Sequence, residues 1–497
     1  MTLSNNQMIR QAIIETLPND RVPDKRSLYI PPSHLKALRL ECSLVIGARG
    51  VGKTFWNAAL NSTEIRKMLG ELVPDLSRVE VWTGFGERSD LNAYPDPDVF
   101  DALLSKKFSA YHVWRAVLGR WAANIVSENI PCNSWDESVA WVINDPECFG
   151  RLLERANDFF SAQKRHGLIV FDALDRSRAE WQTMDTIARD LLRVVLSLKR
   201  YPFLHGKIFL REDQFARPQI ADFPDASKLL STRVDLTWAM HDLHGLLWQL
   251  FCNGTDIHGQ ILRNIYEDGA GSPPDFTADV WSISDRVKRD DQVQRSLFAK
   301  IAGEWMGRDR RRGVPYLWSV GHLADRRGRT SPRSFLAAIR AAAEDAEARY
   351  PYHLLPLHYE SIKCGVQNAS GIRVSEMAED YPWVKRLMKP LEGWTVPCTF
   401  DVIQERWCDA FGSDPKTISF TGLPPEHIDA EWYGIRQDLE ALGIFESMKD
   451  GRVNMPDLYR VGFGLGRRGG VKPAVKEGGI VRNISVPIAR LDKILAN

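Results

Sequence analysis

The sequence predicts an α/β fold, in which a parallel sheet with helices on both faces is followed by a helical lid and a C-terminal winged-helix domain. Three observations support this prediction. Short apolar runs alternate with longer stretches whose apolar residues recur at helical spacing. A glycine-rich segment directly follows the first of these runs, and a helix–strand–turn–strand pattern occurs near the C-terminus.

The composition is that of a folded, nearly neutral protein. The 497 residues include 65 Lys and Arg against 64 Asp and Glu, so the formal net charge is +1 and no global field attracts the molecule to a polyanion. Hydrophobic residues make up 44% of the chain, which excludes a largely disordered protein. The seven cysteines have no zinc-site spacing, and no window approaches about 18 uninterrupted apolar residues. We therefore expect a cytoplasmic protein with reduced thiols and no membrane partner.

The strongest local signal is LVIGARGVGKTFW, Leu44–Trp56. Its glycines, Lys53 and Thr54 have the spacing G-x-x-x-x-G-K-[ST] of loops whose main-chain amides surround a β-phosphate. We expect Lys53 to contact the β/γ oxygens and Thr54 to bind Mg²⁺. A glycine-rich turn without a ligand is the alternative, and the order strand, loop, helix disfavours it. The residues predicted to bind the cofactor are Gly47, Ala48, Arg49, Gly50, Val51, Gly52, Lys53, Thr54 and Phe55.

A second apolar run, Leu168–Phe171, ends in Asp172. A carboxylate at the end of a buried strand is placed to hold Mg²⁺ through water opposite Thr54. Asp175 follows three residues later, and we expect it to orient or deprotonate the attacking water. The alternative for Asp175 is a helix N-cap or a salt bridge to Arg176.

The remaining strands complete the predicted sheet. Arg78–Gly84 is the second strand in chain order, and a helical insertion of about residues 98–163 follows it, where tryptophans at helical spacing are expected to fill a core. Gly206–Asp213 is a further strand with Arg211 at its carboxyl end, where open α/β sheets bind ligands. A guanidinium there would sense γ-phosphate charge, whereas a surface pair with Glu212 or Asp213 is the alternative.

These segments together resemble AAA+-type ATPases of the signal-transduction (STAND) and origin-recognition kind, and most of all bacterial P-loop ATPases found beside anti-phage defence genes. The resemblance covers about residues 40–343, and it implies ATP and Mg²⁺ as cofactors. It also implies that Arg333, in TSPRSFL, is the sensor-2 arginine of the lid; a solvent-facing arginine at a helix start is the alternative. The motifs that carry the resemblance are Gly47–Thr54, Leu168–Asp175, Phe209–Arg211, Val234–Trp238 and Gly328–Ala342.

One departure from the family pattern bears on the rate of hydrolysis. Ala173 stands where most hydrolytic AAA+ proteins have Glu directly after the metal-binding Asp. The resulting D-x-x-D pattern is similar to that of STAND-type switches, which implies slow turnover or nucleotide-gated switching. Arg217 and Arg233 are the candidates for an arginine that acts in a neighbouring copy.

Near the C-terminus, Ala430–Gly464 reads as a helix followed by two short strands around a Lys449–Arg452 turn, which is the ending of a winged helix. From Lys449 to the end, ten Lys and Arg outnumber four Asp and Glu. This excess fits a DNA backbone, a partner protein or the chain's own ATPase core. The predicted parts are an N-terminal arm (1–38), a core (39–245), a lid (246–349) and the C-terminal domain (350–497).

The function predicted from these features is an ATP-dependent molecular switch. ATP and Mg²⁺ would hold the lid against the core through Lys53, Arg211 and Arg333, and a partner protein or DNA would respond to the position of the lid and the winged helix. Self-association is also expected. The rival functions are a DNA-binding initiator or transposition-type regulator, in which ATP stabilises an oligomer on DNA, and a scaffold that binds nucleotide without hydrolysing it.

Overall fold

The computed structural model describes residues 5–17, 23–172, 174, 181–469 and 471–473. Two sequence predictions therefore lie outside the described residues: the catalytic role of Asp175 and the basic tail from residue 474 onward. Among the helices of the described ranges, none is long and apolar enough to cross a membrane.

A parallel sheet of five strands forms the centre of the first half of the chain. The strands are β1 (Leu44–Gly47), β2 (Val79–Phe85), β3 (His166–Phe171), β4 (Leu204–Arg211) and β5 (Val234–Asp235). Their order across the sheet is β2-β3-β4-β1-β5, and every neighbouring pair is parallel. β1 therefore has a strand on each side, and its last residue, Gly47, is in register with Arg211, the last residue of β4.

Helices cover both faces of this sheet. Side chains alternate along a strand, so Leu44 and Ile46 of β1 enter one core while Val45 enters the other. The predicted α/β fold with helices on both faces is confirmed. The helices up to β5 are α1 (Asn5–Thr16), α2 (Leu35–Leu38), α3 (Lys53–Asn61), α4 (Thr63–Leu69), α5 (Pro97–Ser105), α6 (Ala110–Val126), α7 (Trp135–Asn144), α8 (Pro146–Gln163), α9 (Trp181–Ser197), α10 (Glu212–Phe215) and α11 (Ser227–Leu230).

The helical insertion between β2 and β3 consists of α5 to α8. Trp114, Trp121 and Trp135 are buried in it, and the Trp114 indole N–H donates to the carbonyl of Ile187 at 3.0 Å. The interpretation of these tryptophans as core residues is confirmed. The insertion thus thickens one face of the sheet.

The described residues after β5 are mostly helical and surround one continuous core. Apolar residues from α1 through the last helix belong to this core. The helices after β5 are α12 (Met240–Cys252), α13 (Asp256–Ala270), α14 (Asp285–Arg289), α15 (Asp291–Ala302), α16 (Pro315–Gly321), α17 (Pro332–Arg349), α18 (Tyr359–Asp380), α19 (Pro382–Met388), α20 (Phe400–Phe411), α21 (Glu431–Ala441) and α22 (Asp457–Arg460). A hairpin of β6 (Asp275–Thr277) and β7 (Val280–Ser282) lies between α13 and α14.

The N-terminal segment and the predicted boundary near residue 350 both involve this core. Helix α1 packs against α13 and α17, and its buried Arg10 donates to the carbonyls of Tyr350 and Pro356. Helices α17 and α18, on the two sides of the boundary, lie against each other so closely that a Cβ added to Gly365 would be 2.1 Å from the carbonyl oxygen of Ala338. The boundaries themselves stay predictions.

The C-terminal region forms the predicted winged helix. Helix α21 is followed by β8 (Glu446–Ser447) and β9 (Val453–Asn454), which pair antiparallel around the predicted turn. Cys398 adds a short bridge to Val453. The buried rings of Trp407 and Trp432 stack with centroids 5.2 Å apart, and Trp407 also stacks on Phe445, the residue directly before β8. Helix α20, helix α21 and the hairpin are therefore held by one aromatic core.

Candidate phosphate-binding site

The glycine-rich loop joins β1 to α3, as the mechanism of a phosphate loop requires. Gly50 has φ +80° and Gly52 has φ +105°, values that residues with a Cβ rarely adopt. A Cβ on Gly47 would lie 2.6 Å from Cγ2 of Val51. The three glycines thus permit a tight turn in which backbone amides approach the N-terminus of α3.

Lys53 is the first residue of α3 and lies over this loop. Its ammonium group donates to the carbonyl oxygens of Gly47 at 2.8 Å and Ala48 at 3.0 Å. Thr54 follows and is exposed, and Phe55 packs edge-on against Trp56. The lysine charge is therefore at the end of β1, where the predicted phosphates would lie.

Asp172 comes directly after β3 and is 3% exposed. Its carboxylate accepts a hydrogen bond from the side-chain amide of Asn57 at 3.4 Å. Asn57 lies three residues after Thr54 on α3, which places the two on the same face of the helix. Asp172 and Thr54 thus face a common region, and a hydroxyl with a carboxylate is a donor set that suits Mg²⁺.

Arg211 lies at the level of Gly47 and is paired with two carboxylates. Its Nε and Nη2 donate to Asp213 at 3.0 and 2.5 Å, and its Nη1 donates to Asp380 at 2.6 Å. Burial alone would raise the pKa of Asp213, but the Arg211 charge outweighs it and holds that pKa well below its usual value. The hydroxyl of Tyr381 also donates to Asp213 at 2.6 Å. The ion pair between Arg211 and Asp213, which was the alternative considered from the sequence, is therefore present. Arg211 also contacts Asp380 of α18.

Arg49, inside the loop, also binds α18. Its Nη1 donates to Asp380 at 2.5 Å and its Nη2 donates to Glu379 at 2.8 Å, while Nε is 3.6 Å from Glu376. Because Asp380 accepts from Arg49 and Arg211 together, it joins the loop to the end of β4.

Arg333, the predicted sensor-2 residue, lies beside the loop at the start of α17. A Cβ added to Gly50 would be 3.3 Å from Cβ of Arg333 and 3.1 Å from Oγ of Ser331. The Arg333 side chain is 59% exposed, and its Nη1 donates to Glu376 at 2.8 Å. The lid helix therefore begins against the phosphate loop.

All three arginines predicted near the phosphates thus converge on Glu376, Glu379 and Asp380, which we call the acidic end of α18. Sequence reasoning missed these residues, because Asp380 is 331 positions from Arg49 and 169 from Arg211. One signal was available. The last turn of α18 carries acidic but no basic residues, and acids at a helix C-terminus oppose the helix dipole unless cations lie nearby.

A pocket lies next to the loop on the side of the lid. Val51, Trp238, Arg329 and Ser331 are among the residues that line it. The Trp238 indole N–H donates to the carbonyl of Val51 at 2.9 Å, which ties the segment after β5 to the loop. Sequence reasoning did not predict this contact.

Behind Trp238, the imidazole of His34 supports the loop and α3. It accepts a hydrogen bond from the indole of Trp56 at 3.1 Å and contacts the carbonyl of Thr237 at 3.1 Å. Burial lowers the pKa of His34 to about 4, so the ring is neutral at pH 7.

The two arginines considered for action in a neighbouring copy differ in their surroundings. Arg217 pairs with Asp185 at 3.0 Å and Glu426 at 3.1 Å and lies over the ring of Trp181. Arg233 is 38% exposed and pairs with Asp235. Arg217 is therefore engaged within its own chain, and Arg233 is the more accessible of the two.

Comparisons with known proteins give likeness of structure only. The chain matches no protein-family model, and no curated protein matches it. The Aeropyrum pernix ORC2 protein in ADPNP–ADP complexes is similar, with 13% identity and a TM-score of 0.37 over 88% of this chain and 94% of that one. CDC6P from Pyrobaculum aerophilum has 13% identity and a TM-score of 0.30 over 89% and 93% of the two chains. The Aeropyrum pernix ORC1 protein in complex with DNA has 14% identity and a TM-score of 0.32 over 90% and 93%.

Proposed function

We propose that the chain is a slow ATPase that binds ATP and Mg²⁺ at the phosphate loop and uses them as a conformational switch. The observation that supports this function most directly is the geometry of the loop, with Lys53 at the start of α3 and its ammonium group over Gly47 and Ala48. Asp172, at the end of β3, faces the same helix. A loop, lysine and carboxylate in this arrangement suit a triphosphate and its metal ion.

The residues of the site have separable tasks. Lys53 would exchange its two carbonyl partners for β/γ oxygens, and the amides of the loop would bind the β-phosphate. Thr54 and Asp172 would hold Mg²⁺, which when bound neutralises charge on the β/γ oxygens. Arg211 and Arg333 would contact the γ-phosphate from β4 and from the lid.

Slow turnover is proposed because the position after Asp172 is Ala173 rather than a carboxylate. Asp175 is then the residue proposed to orient the attacking water. STAND-type switching, a bacterial defence setting and self-association stay predictions from the sequence resemblance.

We expect Asp175→Asn to lower the rate of phosphate release from ATP by about 100-fold, because loss of a general base or of water orientation costs about this much. Phosphate release at millimolar Mg²⁺ measures the effect, with Asp158→Asn on the exposed face of α8 as the control. Equal, near-zero rates for wild type and Asp175→Asn would contradict the ATPase assignment and favour the nucleotide-binding scaffold.

We propose that the winged helix responds to the switch by binding a partner protein rather than DNA. Helix α21 carries three acids and one arginine, and that arginine, Arg436, donates to Glu440 and Ser447 at 2.8 Å. In the hairpin, Arg452 pairs with Asp450. Arg460, counted among the basic residues of the sequence, is fully buried and donates to main-chain carbonyls. The basic excess thus offers fewer cations for phosphates than its count suggests.

A different surface keeps the DNA-binding alternative open. The turn at residues 308–312 exposes Arg308, Arg310, Arg311 and Arg312. Within the described residues, no ion pair or hydrogen bond involves their guanidinium groups. The turn itself is ordered by Asp309, whose carboxylate accepts from the amide of Arg311 at 2.8 Å. Exposed arginines without acidic partners suit a phosphate backbone.

If the chain binds DNA through this turn, changing Arg310, Arg311 and Arg312 to Gln should reduce the slope of log affinity against log salt by about 2 to 3. Fluorescence anisotropy with a duplex probe over a salt series measures the slope. Arg452→Gln, in the hairpin, is the control and should leave it unchanged. No measurable binding by wild type at low salt would contradict the initiator function.

A further inference from the structure

We propose that the acidic end of α18 is an internal competitor for the triphosphate, so that ATP but not ADP releases it from the phosphate loop. This inference rests on the proposed function, because it assigns a regulatory role within the same site. It concerns Glu376, Glu379 and Asp380, which nothing in the sequence motifs connects to the loop.

The first argument is the shared set of arginines. Asp380 is held at 2.5 Å by Arg49 of the loop and at 2.6 Å by Arg211 at the end of β4. Glu376 is held at 2.8 Å by Arg333 at the start of the lid helix. A carboxylate and a phosphate oxygen are both bound by guanidinium groups in the same planar geometry. The acidic end thus has the partners that a γ-phosphate would need.

The second argument is the closeness of these pairs to the lysine of the loop. Gly47 and Arg211 are in register, and Lys53 contacts the carbonyl of Gly47. The Lys53 charge also contributes to the lowered pKa of Asp213, the neighbour of Arg211. A γ-phosphate bound by Lys53 would therefore lie next to the Asp380 carboxylate, and two anions in that position repel each other.

The third argument is the position of the acids on their helix. Glu379 and Asp380 lie in the last turn of α18 and Glu376 lies just before it, close to the carbonyl end of the helix, where negative charge is already concentrated. The ion pairs with the arginines offset this unfavourable placement of the three carboxylates. When a triphosphate takes the guanidinium groups, the acidic end loses its partners and leaves the loop.

The release can be transmitted to the winged helix through α22. The Ser370 hydroxyl of α18 donates to the carbonyl of Leu458 at 2.7 Å, and the Arg373 guanidinium donates to the hydroxyl of Tyr459 at 3.1 Å. Helix α22 begins three residues after β9 ends. A shift of the end of α18 therefore acts on the element next to the hairpin.

The test is calorimetric binding of ATP and ADP, at millimolar Mg²⁺, to the full chain carrying Asp380→Asn. Removing the competing charge should tighten ATP binding by about tenfold and change ADP binding by less than about twofold, because only the triphosphate meets the carboxylate. Glu376→Gln provides a second variant that leaves Asp380 in place and should shift ATP affinity in the same direction. Glu360→Gln, at the opposite end of α18 and paired with Lys363, is the matched control and should bind like wild type.

Hydrogen exchange gives an independent readout. In wild type, amides of residues 376–388 should exchange faster with ATP than with ADP, because the acidic end is released only by the triphosphate. Unchanged ATP affinity in both variants, in a wild-type protein that binds ATP, would overturn the inference and leave the ATP-binding function standing. A wild type that binds neither nucleotide would overturn both.

Discussion

Lys53→Ala is expected to lower the affinity for purine triphosphates by at least about 100-fold. The ammonium group lies at the end of β1, where it already binds two main-chain carbonyls of the loop. Alanine would remove that charge from the β/γ oxygens, and truncating one partner of a buried charge pair costs about 2 to 5 kcal/mol. Calorimetry at millimolar Mg²⁺ measures the loss directly.

The matched control is Lys67→Ala, which removes the same type of side chain from the exposed face of α4. It should leave ATP affinity within about twofold of wild type, since an exposed lysine away from the site contributes little. Equal ATP affinities for wild type and Lys53→Ala would show that the glycine-rich loop is a turn without a phosphate, and the proposed function would fail with it.

The parts of the site that the sequence predicted are those with short-range patterns. The loop is encoded by glycines that permit φ values of +80° and +105°, and Asp172 is encoded by its place directly after an apolar strand. These signals lie within a few residues of each other, so one sequence is enough to read them. Strands β1 to β4 were predicted for the same reason, because each is a short apolar run.

The parts that the sequence did not predict depend on residues far apart in the chain. Arg49 and Asp380 are 331 positions apart, and the packing of α18 against other helices, above all α17, brings them together. The same reason explains the winged helix, where a count of basic residues could not show that Arg460 is buried. The sequence shows which residues are charged, but it does not show which residues they pair with in the folded protein.

Gly365→Ala is expected to lower the free energy of unfolding by about 3 kcal/mol, whereas Gly371→Ala, on the same helix, should raise it by up to about 1 kcal/mol. A Cβ at Gly365 would lie 2.1 Å from the Ala338 carbonyl oxygen and 3.1 Å from Cβ of Ala342, so α17 and α18 would have to separate. A Cβ at Gly371 would meet nothing within 4 Å, and alanine there only improves helix propensity.

Urea unfolding followed by circular dichroism measures both changes, and the opposite signs make the pair of variants its own control. If both variants were destabilised, a Cβ added at either glycine would be unfavourable, and the effect could not be assigned to the contact with α17. If both were neutral, the close contact of α17 with α18 would be contradicted. That contact helps to position the acidic end of α18, because α18 lies directly against the lid helix that carries Arg333, and Arg333 pairs with Glu376. The glycine at 365 thus links the stability of the α17–α18 pair to the ion pairs around the phosphate loop.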